Sequence, residues 1–110
     1  MPGVTRLDPA ALVDCPVEQE GPALTRTAEL VELGGGLSAG LWSAEPHVLY
    51  IDSYPWDEVC FILEGAVILH LGDDVEAFGP GEAFAIARGT ECTWEQPGPV
   101  RKVYVIREET

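Results

Sequence analysis

From Thr27 onward the chain is a succession of short apolar runs in which side-chain character alternates every second residue. The segments AELVEL, LSAGLWSA, HVLYIDS, EVCFIL, AVILHL, VEAF, EAFAIA, CTWEQ and VRKVYVI predict strands. Glycine, proline and acidic clusters separate them: Gly34-Gly35-Gly36, Glu64-Gly65, Gly72-Asp73-Asp74, Gly79-Pro80-Gly81, Arg88-Gly89 and Pro97-Gly98-Pro99. No segment carries a helical stripe of useful length. Many short strands at intervals of roughly 8–12 residues imply an all-β sandwich or barrel. Residues 1–26 are proline-rich and read as an irregular arm, followed by a single barrel domain over 27–110. Within the arm, LDPAALVD predicts one helical turn after Asp8, with Pro9 at the first helical position.

The register of the middle strands follows if Glu64-Gly65 is a two-residue hairpin turn. One face then carries Glu58, Cys60, Ile62, Val67, Leu69 and Leu71, and the other Val59, Phe61, Leu63, Ala66, Ile68 and His70. Both faces are apolar, and a closed barrel uses only one as its interior. The second needs a cover, from the N-terminal strands or from another subunit, and a homodimer is expected.

Composition narrows the partners. Nineteen acids against six bases give a formal charge of −13, which argues against nucleic acid and anionic membranes as partners. No apolar run approaches the ~20 residues of a membrane span, and the first residues lack the apolar core of a secretion signal. Cys15, Cys60 and Cys92 are odd in number and have no C-x-x-C spacing, so they read as free thiols in a reducing compartment, with the cytoplasm as the expected location.

Two stretches carry a resemblance. DEVCFILEG and GPGEAFAIARGTECTWEQ resemble the two signature motifs of the cupin superfamily, G-x5-H-x-H-x3,4-E-x6-G and G-x5-P-x-G-x2-H-x3-N. Glu58, six residues and Gly65 match the end of the first. Gly81, Gly89, Cys92 and Gln96 follow the spacing of the second, and residues 66–80 lie between the motifs. The combination with GLW and VRKVYVI, over roughly residues 37–106, is similar to small single-domain cupins of the ethanolamine-utilisation-like or ureidoglycine-hydrolase-like group. The resemblance implies a jelly-roll (double-stranded β-helix) barrel, commonly dimeric. The departures from it are equally specific. The histidine pair of motif one would fall at Asp52 and Tyr54 and the last histidine at Cys92, so only the acid, Glu58, remains. Pro46 stands at the opening glycine of motif one and Ala87 at the motif-two proline.

Each candidate has two readings. Glu58, facing inward, is either a ligand anchor and general acid or base, or a structural acid held by tyrosine or lysine. Cys92 is a pocket thiol or a small buried hydrophobe. Lys102, the only lysine, shares a strand face with Val100, Tyr104 and Ile106, and either pairs with Glu58 in the pocket or reaches water at its rim. Trp42, Tyr50, Tyr54, Trp56, Trp94 and Tyr104 line a mouth suited to a planar or amphipathic molecule, or are ordinary core. A metal needs three or four converging ligands; Glu58, Cys92 and an oxygen from Asp52 or Tyr54 form a poor set, and neither His47 nor His70 completes it.

The expectation is a barrel that binds a small polar metabolite with no metal or other cofactor, through Asp52, Cys92, Trp94, Trp42 and Tyr50 together with Glu58. The alternative is an acid/base enzyme, an isomerase, lyase or hydrolase of a nitrogen- or carboxylate-bearing metabolite, in which Glu58 moves the proton and Tyr54, Lys102 or Tyr104 steadies negative charge. A Glu58/Cys92 metalloenzyme is the third reading.

Overall fold

The computed structural model describes residues 3–108. Its strands are β1 (Glu18–Glu20), β2 (Ala23–Gly34), β3 (Leu37–Ala44), β4 (His47–Ile51) and β5 (Asp57–Glu64). There follow β6 (Val67–Leu71), β7 (Asp74–Phe78), β8 (Ala83–Ile86), β9 (Cys92–Gln96) and β10 (Val100–Arg107). A six-stranded sheet in the order β1-β2-β3-β10-β5-β8 packs against a four-stranded sheet in the order β4-β9-β6-β7, and all pairings are antiparallel. The two sheets form the expected jelly roll. Among the described residues no helix is long and apolar enough to cross a membrane.

The inward set is the one that alternation predicts: Glu58, Cys60, Ile62, Val67 and Leu69 are buried, and Leu71 packs against them. The pairing behind that prediction is different. β5 and β6 do not form a hairpin; β5 pairs with β10 and β8, whereas β6 pairs with β7 and β9. Gly65 (φ +84) is where the chain leaves one sheet for the other. A Cβ there would stand 2.1 Å from the carbonyl oxygen of Pro99, so the crossing requires glycine. The two-residue hairpin lies one strand later, at Gly72-Asp73, where Leu71 faces Asp74. The faces survive the error because side-chain alternation belongs to each strand and not to its partner.

Regular structure begins at Glu18, inside the segment read as an irregular arm. Gly21 (φ +58) and Pro22 form a turn that lets Glu20 face Ala23, so these residues connect two strands rather than interrupt them. Asp8 caps a 3₁₀ turn over Pro9–Leu12 through its carboxylate and the Ala10 N–H, as expected from the sequence. That turn seats Leu12 with Ala28 and Leu41 on the outer face of the large sheet, with Leu63 and Val103 against them. Val59 and Phe61 on the same face stay exposed, at 48% and 43%.

Candidate functional site

The interior of the large sheet is built in cross-strand rows. Lys102 of β10 lies between Trp42 of β3 and Ile62 of β5, and Tyr104 lies between Gly40 and Cys60. Glu58 lies between Ile106 and Ile86. From the facing sheet, Trp94 closes over Trp42 edge-to-face, with ring centroids 5.9 Å apart. Its indole N–H donates to Gln96 Oε1 at 3.0 Å, and Gln96 Nε2 in turn donates to the carbonyls of Ala44 and Glu45, tying β9 to the end of β3.

Glu58 is 4% exposed and its four hydrogen-bond donors occupy both oxygens. Oε1 accepts from Tyr54 Oη at 2.8 Å and Trp56 Nε1 at 3.0 Å. Oε2 accepts from Lys102 Nζ at 2.7 Å and the Cys60 thiol at 3.1 Å. Lys102 also donates to Cys60 Sγ at 3.4 Å and lies 4.5 and 4.7 Å from the ring centroids of Trp42 and Trp94. Burial pushes the Glu58 carboxyl up, but the Lys102 charge and the hydrogen bonds together hold it below its ordinary value. Burial works to strip Lys102 of its proton; the Cys60 sulfur and the Glu58 carboxylate more than offset this, and the ammonium is held above its ordinary value. Burial first, and then the charges nearby, keep Tyr54 a neutral phenol. Burial also pushes the Cys60 thiol up to about 12. The cluster is therefore a carboxylate and an ammonium joined through neutral donors, with no lone pair on Glu58 left to take a proton from a substrate.

Above this floor opens a cavity of about 620 Å³, within the usual range for small-molecule sites. Tyr54, Trp42, Trp94, Lys102, Glu58 and Tyr104 line it. Tyr50 and Asp52 do not. Inward-facing residues of β4 are His47, Leu49 and Ile51, so Tyr50 points outward, where its hydroxyl bonds Glu91. Asp52 follows the end of the strand on the exposed side. Cys92 does not line the cavity either; it is 2% exposed in the core between the sheets, where burial raises its thiol pKa. The motif spacing that placed Asp52 in the pocket does not carry the outward turn of the chain after Ile51, and the aromatic character that suggested Tyr50 does not say which face of β4 it occupies.

Several lining residues reach the cavity in roles that the sequence did not predict. His47 stands edge-on to Trp42 and hydrogen-bonds the Glu45 carbonyl through Nδ1 at 2.8 Å. Trp56 reaches Glu58 from the loop before β5. Glu18, Glu20, Glu29 and Glu108 also line the cavity. The signal for Glu29 was its two-residue spacing from Thr27 on β2, while the β1 acids lay hidden in the supposed arm.

The residues do not fit a metal. Among the described residues no three His, Cys, Asp or Glu converge on a point. At the positions where the resemblance puts ligands, Asp52 turns away, Tyr54 donates to Glu58, and Cys92 is a protonated core thiol. The surviving acid already holds a cation, the ammonium of Lys102.

Residues 31–104 match the model of the EutQ-like cupin domain. Among solved structures, a protein of unknown function from Rhizobium leguminosarum bv. viciae has 20% identity and a TM-score of 0.69, with 99% of this chain and 98% of that one covered. The Clostridium difficile EutQ protein shares 18% identity at a TM-score of 0.68, over 79% of this chain but only 64% of its own length. The polyketide cyclase RemF from Streptomyces resistomycificus has 21% identity at a TM-score of 0.67, over 86% and 75%. At these identities the likeness carries the fold alone. No curated protein matches the sequence.

Proposed function

The chain belongs to the EutQ-like cupin domain family, and we propose that its barrel binds a small polar metabolite without a metal ion and without turning it over. One observation carries this reading: Glu58 accepts from four donors, so the acid that would move a proton is instead a fixed charge in the cavity floor. Tyr104 contrasts with it. Its hydroxyl has no hydrogen-bond partner among the described residues, which leaves a free polar group for a ligand. Binding to such a preformed, aromatic-walled cavity needs little rearrangement. The free state of Cys15, Cys60 and Cys92 is consistent with a reducing compartment, so we place the chain in the cytoplasm. We also propose that a second copy covers the exposed Val59 and Phe61.

The test is a thermal-melting screen of amines, amino acids, polyols and carboxylic acids against wild type and Ser38→Trp, which fills the cavity from β3. At least one compound should raise the wild-type melting temperature saturably, lose that effect in Ser38→Trp, and be recovered chemically unchanged. A hit that Ser38→Trp leaves intact, or an empty screen, defeats the reading. Conversion of the compound at a rate abolished by Glu58→Gln replaces it with the acid/base enzyme.

A further inference from the structure

We infer that the ligand of the barrel is an organic ammonium, a protonated amine on an apolar or aromatic body. The inference rests on the reading of the barrel as a binding site and adds the charge of what it binds.

Among the described residues Lys102 is the only ammonium lining the cavity, and it is spent. It is 4% exposed, its charge is matched by Glu58 at 2.7 Å, it donates to Cys60, and the rings of Trp42 and Trp94 stand against it. An anionic ligand would find no free lysine or arginine there among the described residues; the imidazole of His47 is the remaining basic group in the lining. The anion would instead pass Glu18, Glu20, Glu29 and Glu108, none of which forms an ion pair among the described residues. Low-dielectric walls lined by one sign of charge focus the potential on the opening, and the chain's net charge of −13 has the same sign.

A rim of acids alone would attract any cation. The second observation selects one that can donate a hydrogen bond. Tyr104 is 5% exposed, lines the cavity, and has an unpartnered hydroxyl. Its place is made by Gly40. A Cβ at residue 40 would stand 2.8 Å from Tyr104 Oη and 2.1 Å from the Ala28 carbonyl oxygen. The absence of a side chain there lets the hydroxyl lie across β3, in the row that Gly40 shares with Glu29. An ammonium N–H can donate to Tyr104 Oη while its charge faces the Glu29 carboxylate. The apolar remainder then meets the aromatic and aliphatic wall formed by Trp56, Leu49 and Ile106.

Three probes of nearly equal shape separate charge from shape: 2-phenylethylammonium, 2-phenylethanol and 3-phenylpropanoate. Calorimetric titration at low ionic strength should give at least about tenfold tighter binding of the ammonium than of the alcohol, with no measurable binding of the carboxylate. Added salt should weaken only the ammonium. Glu29→Gln should lower its affinity severalfold and leave the alcohol unchanged, Tyr104→Phe should weaken the ammonium more than the alcohol, and Ser38→Trp should abolish both. Equal or tighter binding of the alcohol or carboxylate, still sensitive to Ser38→Trp, overturns the ammonium and leaves the barrel site standing. If none of the three binds while the wider screen yields a ligand sensitive to Ser38→Trp, the ammonium class fails alone. If that screen also yields nothing, both readings fall.

Discussion

The two faces of β5 make opposite use of the same eight residues. Inward, Glu58, Cys60 and Ile62 are buried, and the one charge among them meets a donor at every turn. Outward, Val59 and Phe61 are apolar yet half in water, and only Leu63 at the strand's far end finds cover, from the N-terminal turn. Polarity alone would have put these faces the other way round. The difference shows that burial in this barrel follows geometry, and that a carboxylate is tolerable inside when its partners arrive with it.

The strongest way to break this comparison is to remove the inward partner. Lys102→Met leaves Glu58 buried without its counterion and should cost about 3–5 kcal/mol in urea denaturation. Combining it with Glu58→Gln should recover part of that loss, because the two changes share one interaction. An additive double mutant would mean that the pair is not coupled.

Acid attacks the same face more gradually. Glu58 has a folded pKa below its ordinary 4.5, so its stabilisation is complete above that value and is lost as pH falls through the folded pKa. Lys102 is raised above its ordinary 10.5, so its share is complete below that value and is lost only as pH rises through the folded pKa. The melting temperature of wild type should therefore fall below about pH 4.5 more steeply than that of the double mutant. Parallel pH profiles would remove Glu58 from the account of acid unfolding.

The outward face should show the smallest change in protomer stability. Phe61→Glu should shift the urea midpoint by less than about 0.5 kcal/mol, yet convert the sedimenting species to monomer at micromolar concentration. A wild-type chain that already sediments as a soluble monomer removes the partner copy, and the exposure of Val59 and Phe61 is then a property of the finished molecule.

Fold and inward faces were legible in the sequence because alternation is a local signal; one strand contains it entirely. Pairing was less so. Nothing in Glu64-Gly65 distinguishes a hairpin from a crossing between sheets, since the reason for glycine there is the Pro99 carbonyl, 34 positions further along the chain. The Glu58–Lys102 pair could be suggested from two strand faces, but its four-donor shell could not: Trp56 comes from a loop, and Cys60 was read only as a free thiol on the inward face. Asp52 was placed by motif spacing and Tyr50 by its aromatic ring, and neither signal records where β4 ends. Glu18 and Glu20 were hidden for a related reason. Their strand, β1, pairs only across a Gly-Pro turn, whose residues suggested irregular chain.

The place of β10 between β3 and β5 also sets an order of events. Synthesis delivers Val100–Arg107 after every other strand, yet these residues form the middle of the large sheet. Until they emerge, β3 and β5 have no hydrogen bonds to one another's neighbour, and the contacts still to form are distant in sequence, which slows folding. Glu58 meanwhile waits for an ammonium 44 residues downstream. A chain that ended before Lys102 would lack both the strand that joins β3 to β5 and the counterion of Glu58, so the large sheet cannot close without its last strand.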